Sequence, residues 1–160
     1  MAKKVKIKKT LVEQILSKAA IPHQGIQINA LEGELPQDYK RDQIFKTLAL
    51  LGDKTGPIIG IVPITQHLSE KKLAKISGNK KVSMIPQKDL EKTTGYIHGA
   101  NNPVGIRQKH NYPIFIDKIA LDLDQMIVSA GEVGHSIIVA PQELASFVKA
   151  DFADILEDSK

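Results

Sequence analysis

The stretch QIFKTLALLGDKTGPIIGIVPI, residues 43–64, decides the fold, because it predicts two apolar strands joined by a tight turn. Residues 43–51 form an apolar run with one lysine inside it, and residues 58–64 form a second run rich in β-branched side chains. Residues 52–56 between them have the composition of a turn. The two runs therefore predict a β-hairpin.

Lys46 is the unusual residue of this hairpin. Side chains alternate between the two faces of a strand, and both faces of this strand are apolar, which is typical of a central strand buried on both sides. A lysine there loses hydration, which costs several kcal/mol unless something compensates. Lys46 is therefore predicted either to face an anion or a polarised carbonyl at the mouth of a pocket, or to reach water from the end of the strand.

Two helices have clear boundaries in the sequence. Thr10 and Glu13 have the spacing of a capping box at the start of the first helix, whose inward face is expected to include Leu11. The second helix is predicted within residues 69–78, with Ile76 turned inward and a glycine after its last turn.

The rest of the chain predicts many short elements, with no repeat and no linker. Few spacings suit a β-α-β unit, so a mixed α+β fold, with a mixed sheet or barrel flanked by helices, is favoured over a doubly wound parallel sheet. Residues 1–160 are expected to form a single domain. Further strands are predicted at residues 26–30, 82–85, 112–116, 125–129 and 135–139, further helices at residues 86–92, 141–148 and 152–156, and loops at residues 31–41 and 93–105.

The composition is that of an ordinary globular protein. The chain has 160 residues, of which 42% are hydrophobic and 25% charged. It contains no cysteine, which excludes a disulfide framework, a thiolate metal site and a cysteine nucleophile supplied by the protein. No apolar run approaches the roughly 18 residues of a membrane span, and no apolar segment follows the charged N-terminus as in a secretory signal. The expected location is the cytoplasm.

The formal net charge of +4 comes from the N-terminal tract, residues 1–9, which alone holds five lysines. Such a tract attracts RNA phosphates, or it is simply a solvated terminus. The pattern leaves both interpretations open.

Two glycine-containing segments could also carry chemistry. Residues 94–105, TGYIHGANNPVG, could bring backbone N–H groups close to an anion or oxyanion, or could form an ordinary surface loop. Residues 128–134, VSAGEVG, predict a hairpin turn in which Ser129 could hydrogen-bond a ligand. The five histidines lack the spacing of metal ligands, so no metal site is expected.

Taken in order, these motifs resemble the YbaK/EbsC family, the free-standing relatives of the editing domain of bacterial prolyl-tRNA synthetases. The resemblance spans nearly the whole chain. It rests on FKTL at residues 45–48, TTGY at residues 93–96, GANNP at residues 99–103, VSAG at residues 128–131, and the glycines at positions 105 and 134.

The resemblance implies both a fold and a function. The fold would be a mixed, largely antiparallel β-barrel of about six to seven strands flanked by helices. The protein would be a trans-editing aminoacyl-tRNA deacylase that clears Cys-tRNA(Pro), and sometimes Cys-tRNA(Cys). It would act on the 3′ end of the aminoacylated tRNA beside prolyl-tRNA synthetase, with no cofactor, no metal and no membrane.

The resemblance also assigns the site. Lys46 matches the essential lysine, and in the family's mechanism the thiol of the substrate attacks the ester. We expect the ammonium group of Lys46 to hold the 3′-terminal phosphate or ribose and to stabilise the developing negative charge. Thr47 would brace the terminal adenosine, and His23 stands near a position that is often aromatic. The substrate loop and the serine-glycine segment supply the other binding residues: Gly99, Ala100, Asn101, Asn102, Ser129 and Gly131.

Three positions depart from the usual family pattern: Ala100 and Ala130 replace glycines, and Asn102 replaces a small hydroxyl residue. The methyl group of Ala100 is expected to narrow the pocket. Two alternatives therefore stay open, an Ala-tRNA(Pro) deacylase and a non-catalytic, EbsC-like regulatory or binding protein in which Lys46 is dispensable.

Overall fold

The computed structural model describes residues 9–28 and 39–158 and shows a mixed α+β fold. Within these residues there are five α-helices, eight strands and two short 3₁₀ helices. The α-helices are α1 (Leu11–Lys18), α2 (Glu70–Ser77), α3 (Gln87–Thr94), α4 (Pro103–Lys109) and α5 (Pro141–Val148), and the 3₁₀ helices are Arg41–Gln43 and Lys118–Asp122. The strands are β1 (His23–Gln27), β2 (Phe45–Gly52), β3 (Gly56–Pro63), β4 (Val82–Met84), β5 (Ile114–Asp117), β6 (Met126–Glu132), β7 (His135–Val139) and β8 (Asp151–Ala153).

The strands form two sheets. One has five strands in the order β4-β2-β3-β5-β8, and the other has three in the order β1-β7-β6. Pairing is antiparallel except that β3 with β5 and β5 with β8 are parallel. An isolated bridge between Ile44 and Ile127 joins the sheets. The expectation of a barrel was wrong, since the described strands form two separate sheets and not a closed barrel.

The larger hydrophobic core lies between the sheets and is covered by α1, α4 and α5. Phe45 and Ala49 of β2 enter it together with buried residues of both sheets. Leu50, on the opposite face of β2, belongs to a second core against α2. The expectation that β2 is buried on both faces is therefore confirmed.

The predicted hairpin and the two helix boundaries are confirmed. β2 and β3 pair in antiparallel register from Phe45 with Pro63 to Gly52 with Gly56. The capping box of α1 is formed, and Gly78 closes α2 with a positive φ of 79°. Two apolar residues that were expected inside are exposed, since Leu11 is 62% and Ile76 is 53% accessible.

Three segments differ from expectation. Residues 152–156 were predicted to form a helix, but they contain the end of β8 and the segment that follows it. In this segment the Ile155 N–H donates to Asp117 Oδ1 at 2.9 Å. The predicted loop at residues 93–105 contains the start of α4. β1 begins at His23, earlier than expected, while Ala30 and most of the predicted loop at residues 31–41 lie outside the described residues.

The turn between β2 and β3 is held by one buried side chain, Asn79. Its Oδ1 accepts hydrogen bonds from the backbone N–H groups of Lys54 (2.8 Å) and Thr55 (3.0 Å). Its Nδ2 donates to the hydroxyl oxygens of Thr55 and Ser77. A Cβ atom at Gly52 would lie 2.5 Å from Asn79 Nδ2, so the turn requires glycine at this point.

We expect Asn79→Ala to lower the free energy of unfolding by about 1–3 kcal/mol, because two backbone N–H groups lose their acceptor. Urea denaturation followed by circular dichroism would measure the change. Asn111→Ala, at an exposed asparagine, is the matched control and should cost less than about 0.5 kcal/mol. Equal losses in the two variants would contradict the role of Asn79.

Candidate functional site

A cavity of about 470 Å³ lies beside β2, where its second edge is only partly paired. Along the described part of the chain, β4 pairs with β2 only from Leu50 to Gly52, and Ile85 N–H donates to Ala49 O at 3.1 Å. At the other end, the bridge from Ile44 leads to β6. The cavity occupies the gap between β4 and β6, so the incomplete pairing of β2 creates it.

Five of the nine predicted site residues line this cavity. They come from β2, from the loop before α4 and from the β6–β7 hairpin: Lys46, Thr47, Gly99, Asn101 and Ser129. The other four, His23, Ala100, Asn102 and Gly131, are not among its lining residues. The three sequence motifs therefore converge in space, although not every residue of each motif faces the cavity.

Two positively charged residues, Lys46 and Arg41, line the cavity, and the described lining residues include no carboxylate. Lys46 is half-buried, and no described carboxylate forms an ion pair with it. It also borders a second cavity of about 460 Å³, which Glu70 and Glu157 line as well. Two cations in a partly enclosed site attract an anionic group such as a phosphate.

Three buried polar atoms at this cavity have no hydrogen-bond partner in the structure. They are Thr47 Oγ1, Asn101 Oδ1 and His135 Nδ1, and they are the complete set of such side-chain atoms among the described residues. All three residues line the cavity. Because an unsatisfied buried polar group costs about 1–3 kcal/mol, their concentration in one place indicates a site built for a polar ligand.

The loop before α4 is shaped by its own asparagines. Asn102 is fully buried and is the N-cap of α4, because its Oδ1 accepts from Gly105 N–H at 2.6 Å. Its Nδ2 donates to Ala100 O at 3.1 Å. A Cβ atom at Gly105 would overlap the hydroxyl group of Tyr96. Asn102 therefore holds the loop in shape and does not contact the cavity.

The β6 segment carries a bulge between Ser129 and Glu132. Ser129 Oγ accepts from Gly131 N–H at 3.1 Å, and Gly131 has a φ of +92°, which favours glycine. A Cβ atom there would lie 3.1 Å from Val12 Cγ2 and 3.3 Å from Asn102 Nδ2. Gly131 thus lets the bulge approach α1 and the loop before α4.

Two of the predicted site residues that do not line the cavity make their contacts elsewhere, and their roles in binding stay predictions. Ala100 is 4% exposed and does not line the cavity, so its methyl group does not narrow it directly. His23 lies on β1 opposite Val139, and its Nδ1 contacts Ile21 O at 2.8 Å.

Sequence reasoning missed five polar residues that line the cavity: Arg41, Gln87, His98, His135 and Ser136. His98 and His135 were considered only as metal ligands, and the described residues contain no cluster of three or more His, Asp or Glu side chains that could hold a metal ion. Among the described residues, no helix is long and apolar enough to cross a membrane.

Comparisons with known proteins agree in both sequence and fold. A family model described as the aminoacyl-tRNA editing domain matches residues 35–147. A protein of Enterococcus faecalis, named "Putative Cys-tRNA(Pro)/Cys-tRNA(Cys) deacylase EbsC", is 38% identical over 162 residues, which cover 97% of this chain and 98% of that protein.

Two solved structures share the fold. One, described as "a putative trans-editing enzyme for prolyl tRNA synthetase", has a TM-score of 0.78 and 21% identity over 92% of this chain and 95% of that chain. The other, a hypothetical protein, has a TM-score of 0.81 and 20% identity over 91% of this chain and 99% of that chain. At these identities the two structures show the fold alone.

We expect Asn102→Ala to lower the free energy of unfolding by about 0.5–2 kcal/mol, because α4 loses its N-cap. Chemical denaturation would measure the loss. Asn102→Ser is the matched control, since a serine hydroxyl can accept the same bond from Gly105 N–H. If serine costs as much as alanine, the cap is not what Asn102 contributes.

Proposed function

The chain belongs to the aminoacyl-tRNA editing domain family, and we propose that it is a trans-editing deacylase that clears Cys-tRNA(Pro) and Cys-tRNA(Cys). The choice of substrate is supported by the name of the relative that is 38% identical over nearly the full length. The observation that carries the proposal is the cavity beside Lys46, with its two cations and three unpartnered polar atoms. Such a site suits an anionic ligand with several hydrogen-bonding groups.

The tRNA 3′ end fits this cavity in size and chemistry. A volume of about 470 Å³ lies within the usual range of ligand pockets. Arg41 and Lys46 would attract the terminal phosphate, and the hydroxyl group of Thr47 would bind the terminal adenosine. Apolar residues on the walls, among them Ile85, Leu90 and Val128, would contact the small side chain of the amino acid and the base.

The proposed chemistry uses the thiol of the substrate, because the protein has no cysteine of its own. A free cysteine thiol has a pKa of about 8.5, and a nearby ammonium group raises the thiolate fraction. The thiolate attacks the ester carbonyl, the new C–S bond closes a small cyclic thioester, and the C–O bond to the ribose breaks. The ribose oxygen takes up a proton and the tRNA leaves.

Lys46 and the substrate loop would stabilise the charge that develops on the carbonyl oxygen. The ammonium group of Lys46 is free of ion pairs to the described carboxylates, so its charge is available to the substrate. Backbone N–H groups near Gly99 would form the oxyanion site, and the positive φ of 90° at Gly99 gives the loop its sharp turn. Ser129 would donate its hydroxyl hydrogen to the substrate while its oxygen accepts from Gly131.

The alternative of alanine specificity rests on the departures at Ala100, Asn102 and Ala130. None of these residues lines the cavity, so their effect on the pocket would have to be indirect, which favours the cysteine substrate. A non-catalytic role would leave Lys46 dispensable, which is directly testable. We propose prolyl-tRNA synthetase as the partner that supplies tRNA specificity, supported by the description of the solved structure with the same fold.

We expect Lys46→Ala to lower kcat/KM for Cys-tRNA(Pro) at least about 100-fold, the usual cost of removing a group that stabilises an oxyanion. Lys46→Arg should give an intermediate loss, because guanidinium keeps the charge but not the shape of the ammonium group. Release of radiolabelled cysteine from the tRNA would measure both rates, with Ala-tRNA(Pro) assayed in parallel.

Lys75→Ala, at an exposed lysine of α2, is the control and should keep the full rate. Hydrolysis of the alanine ester but not of the cysteine ester would contradict the thiol mechanism. A folded protein that hydrolyses neither ester would favour the regulatory alternative.

The basic tract is proposed to add sequence-independent attraction for tRNA. Removing residues 1–9 should weaken binding and flatten its salt dependence by up to about 0.7 in the log–log slope for each lysine that contacts a phosphate. Fluorescence anisotropy at several salt concentrations would measure the slope. An unchanged slope would show that the tract does not contact the tRNA.

A further inference from the structure

The side chain of Asn101 is the most constrained of the unpartnered groups in the cavity. The residue is 7% exposed and lines the cavity. Its Nδ2 donates to the backbone carbonyl oxygens of Ile97 at 3.1 Å and Tyr96 at 3.4 Å. Its Oδ1 is buried and receives no hydrogen bond.

The two bonds made by Nδ2 fix the orientation of the amide. If the group were turned over, its oxygen would face two carbonyl oxygens, which is repulsive because all three atoms are acceptors. Oδ1 is therefore a fixed acceptor that no described protein group satisfies, so its donor comes from the ligand or, before the ligand binds, from solvent.

His135 carries a second unpartnered atom at the cavity. Its Nε2 contacts the exposed side-chain amide of Gln27 at 3.1 Å, and because that amide can turn over, the contact is compatible with either tautomer of the ring. His135 Nδ1 is buried, makes no hydrogen bond and lies 4.0 Å from Glu132 Oε1, and the residue lines the same cavity. Of these atoms, Asn101 Oδ1 is the one whose role as an acceptor is fixed by its own contacts.

We propose that Asn101 Oδ1 accepts a hydrogen bond from the α-ammonium group of the aminoacyl ester, so that the site selects esters with a free α-amine. This inference rests on the proposed deacylase function. The ester carbonyl is an acceptor only, which suits the ammonium group of Lys46. The α-ammonium is a donor only, and its charge makes the bond to Oδ1 stronger than one from a neutral donor. Chains acylated on the α-nitrogen, such as peptidyl-tRNA, lose that charge and are spared.

The test compares Cys-tRNA(Pro) with 3-mercaptopropionyl-tRNA(Pro), which keeps the thiol and replaces the α-ammonium by hydrogen. Each rate is divided by the spontaneous rate of the same ester. The wild-type protein should prefer the cysteinyl ester by about 10- to 100-fold in kcat/KM, the range for a hydrogen bond to a charged group.

Two variants at this position separate binding from loop support. Asn101→Leu should lose the rate on the cysteinyl ester and keep that on the desamino ester, so the ratio falls to about one. Asn101→Asp keeps an acceptor, but its second oxygen replaces Nδ2 and meets the carbonyl oxygens of Ile97 and Tyr96. It should therefore slow both esters, while the rate that remains should still favour the cysteinyl ester. Asn111→Leu, at an exposed asparagine outside the cavity, should leave the ratio unchanged.

Three results would overturn the inference while the deacylase function stands. One is a wild-type protein that hydrolyses both esters equally. Another is an Asn101→Leu variant that slows both esters by the same factor, which would mean that Asn101 only holds the loop. The third is an Asn101→Asp variant that loses the preference as fully as the leucine variant. A wild-type protein that hydrolyses no ester would instead overturn the proposed function itself.

Discussion

The central strand β2 is buried on both faces and must satisfy its backbone along two edges, and the rest of the structure depends on how that is done. The first edge pairs with β3 along the whole strand. The second meets β4 near Gly52 and the other sheet near Ile44, and the two partners diverge between these points. Lys46 and Thr47 stand at this gap. The cavity is thus a consequence of sheet geometry, and its key side chains lie on the most firmly held strand.

Hydrogen bonding divides the buried polar side chains of the described residues into two kinds. Asn79 and Asn102 have both ends of their amides satisfied by the protein, and each fixes a turn or a helix end. Asn101 and His135 are satisfied at one end only. Because an unpaired buried polar atom reduces stability, residues of the second kind gain a partner when a ligand binds. Residues of the first kind hold their turn or helix end in place whether or not a ligand is bound.

Local patterns in the sequence were enough to predict the hairpin, the capping box of α1 and the end of α2, because each depends on residues close together in the chain. The short strand β8 was mistaken for a helix because its pairing with β5 involves residues more than thirty positions away. The Asn-Asn-Pro segment was interpreted as a loop, although asparagine before proline is also a good start for a helix. Lys46 was identified from its burial, whereas Arg41 and His135 join the site only through folding, which no spacing reveals.

The close approach of Gly131 to Val12 and Asn102 has an evolutionary consequence. Three segments distant in sequence meet where not even one additional methyl group fits without displacement. A larger residue at Gly131 would have to displace Val12 or Asn102 by a few tenths of an ångström, so we expect these positions to change together among descendants of this protein. Asn101, by contrast, lines the cavity, so an exchange there gives up its bonds to the carbonyls of Ile97 and Tyr96 but needs no matching change at this junction. We therefore expect residues that line the cavity to change one at a time, whereas the three residues of the junction change together.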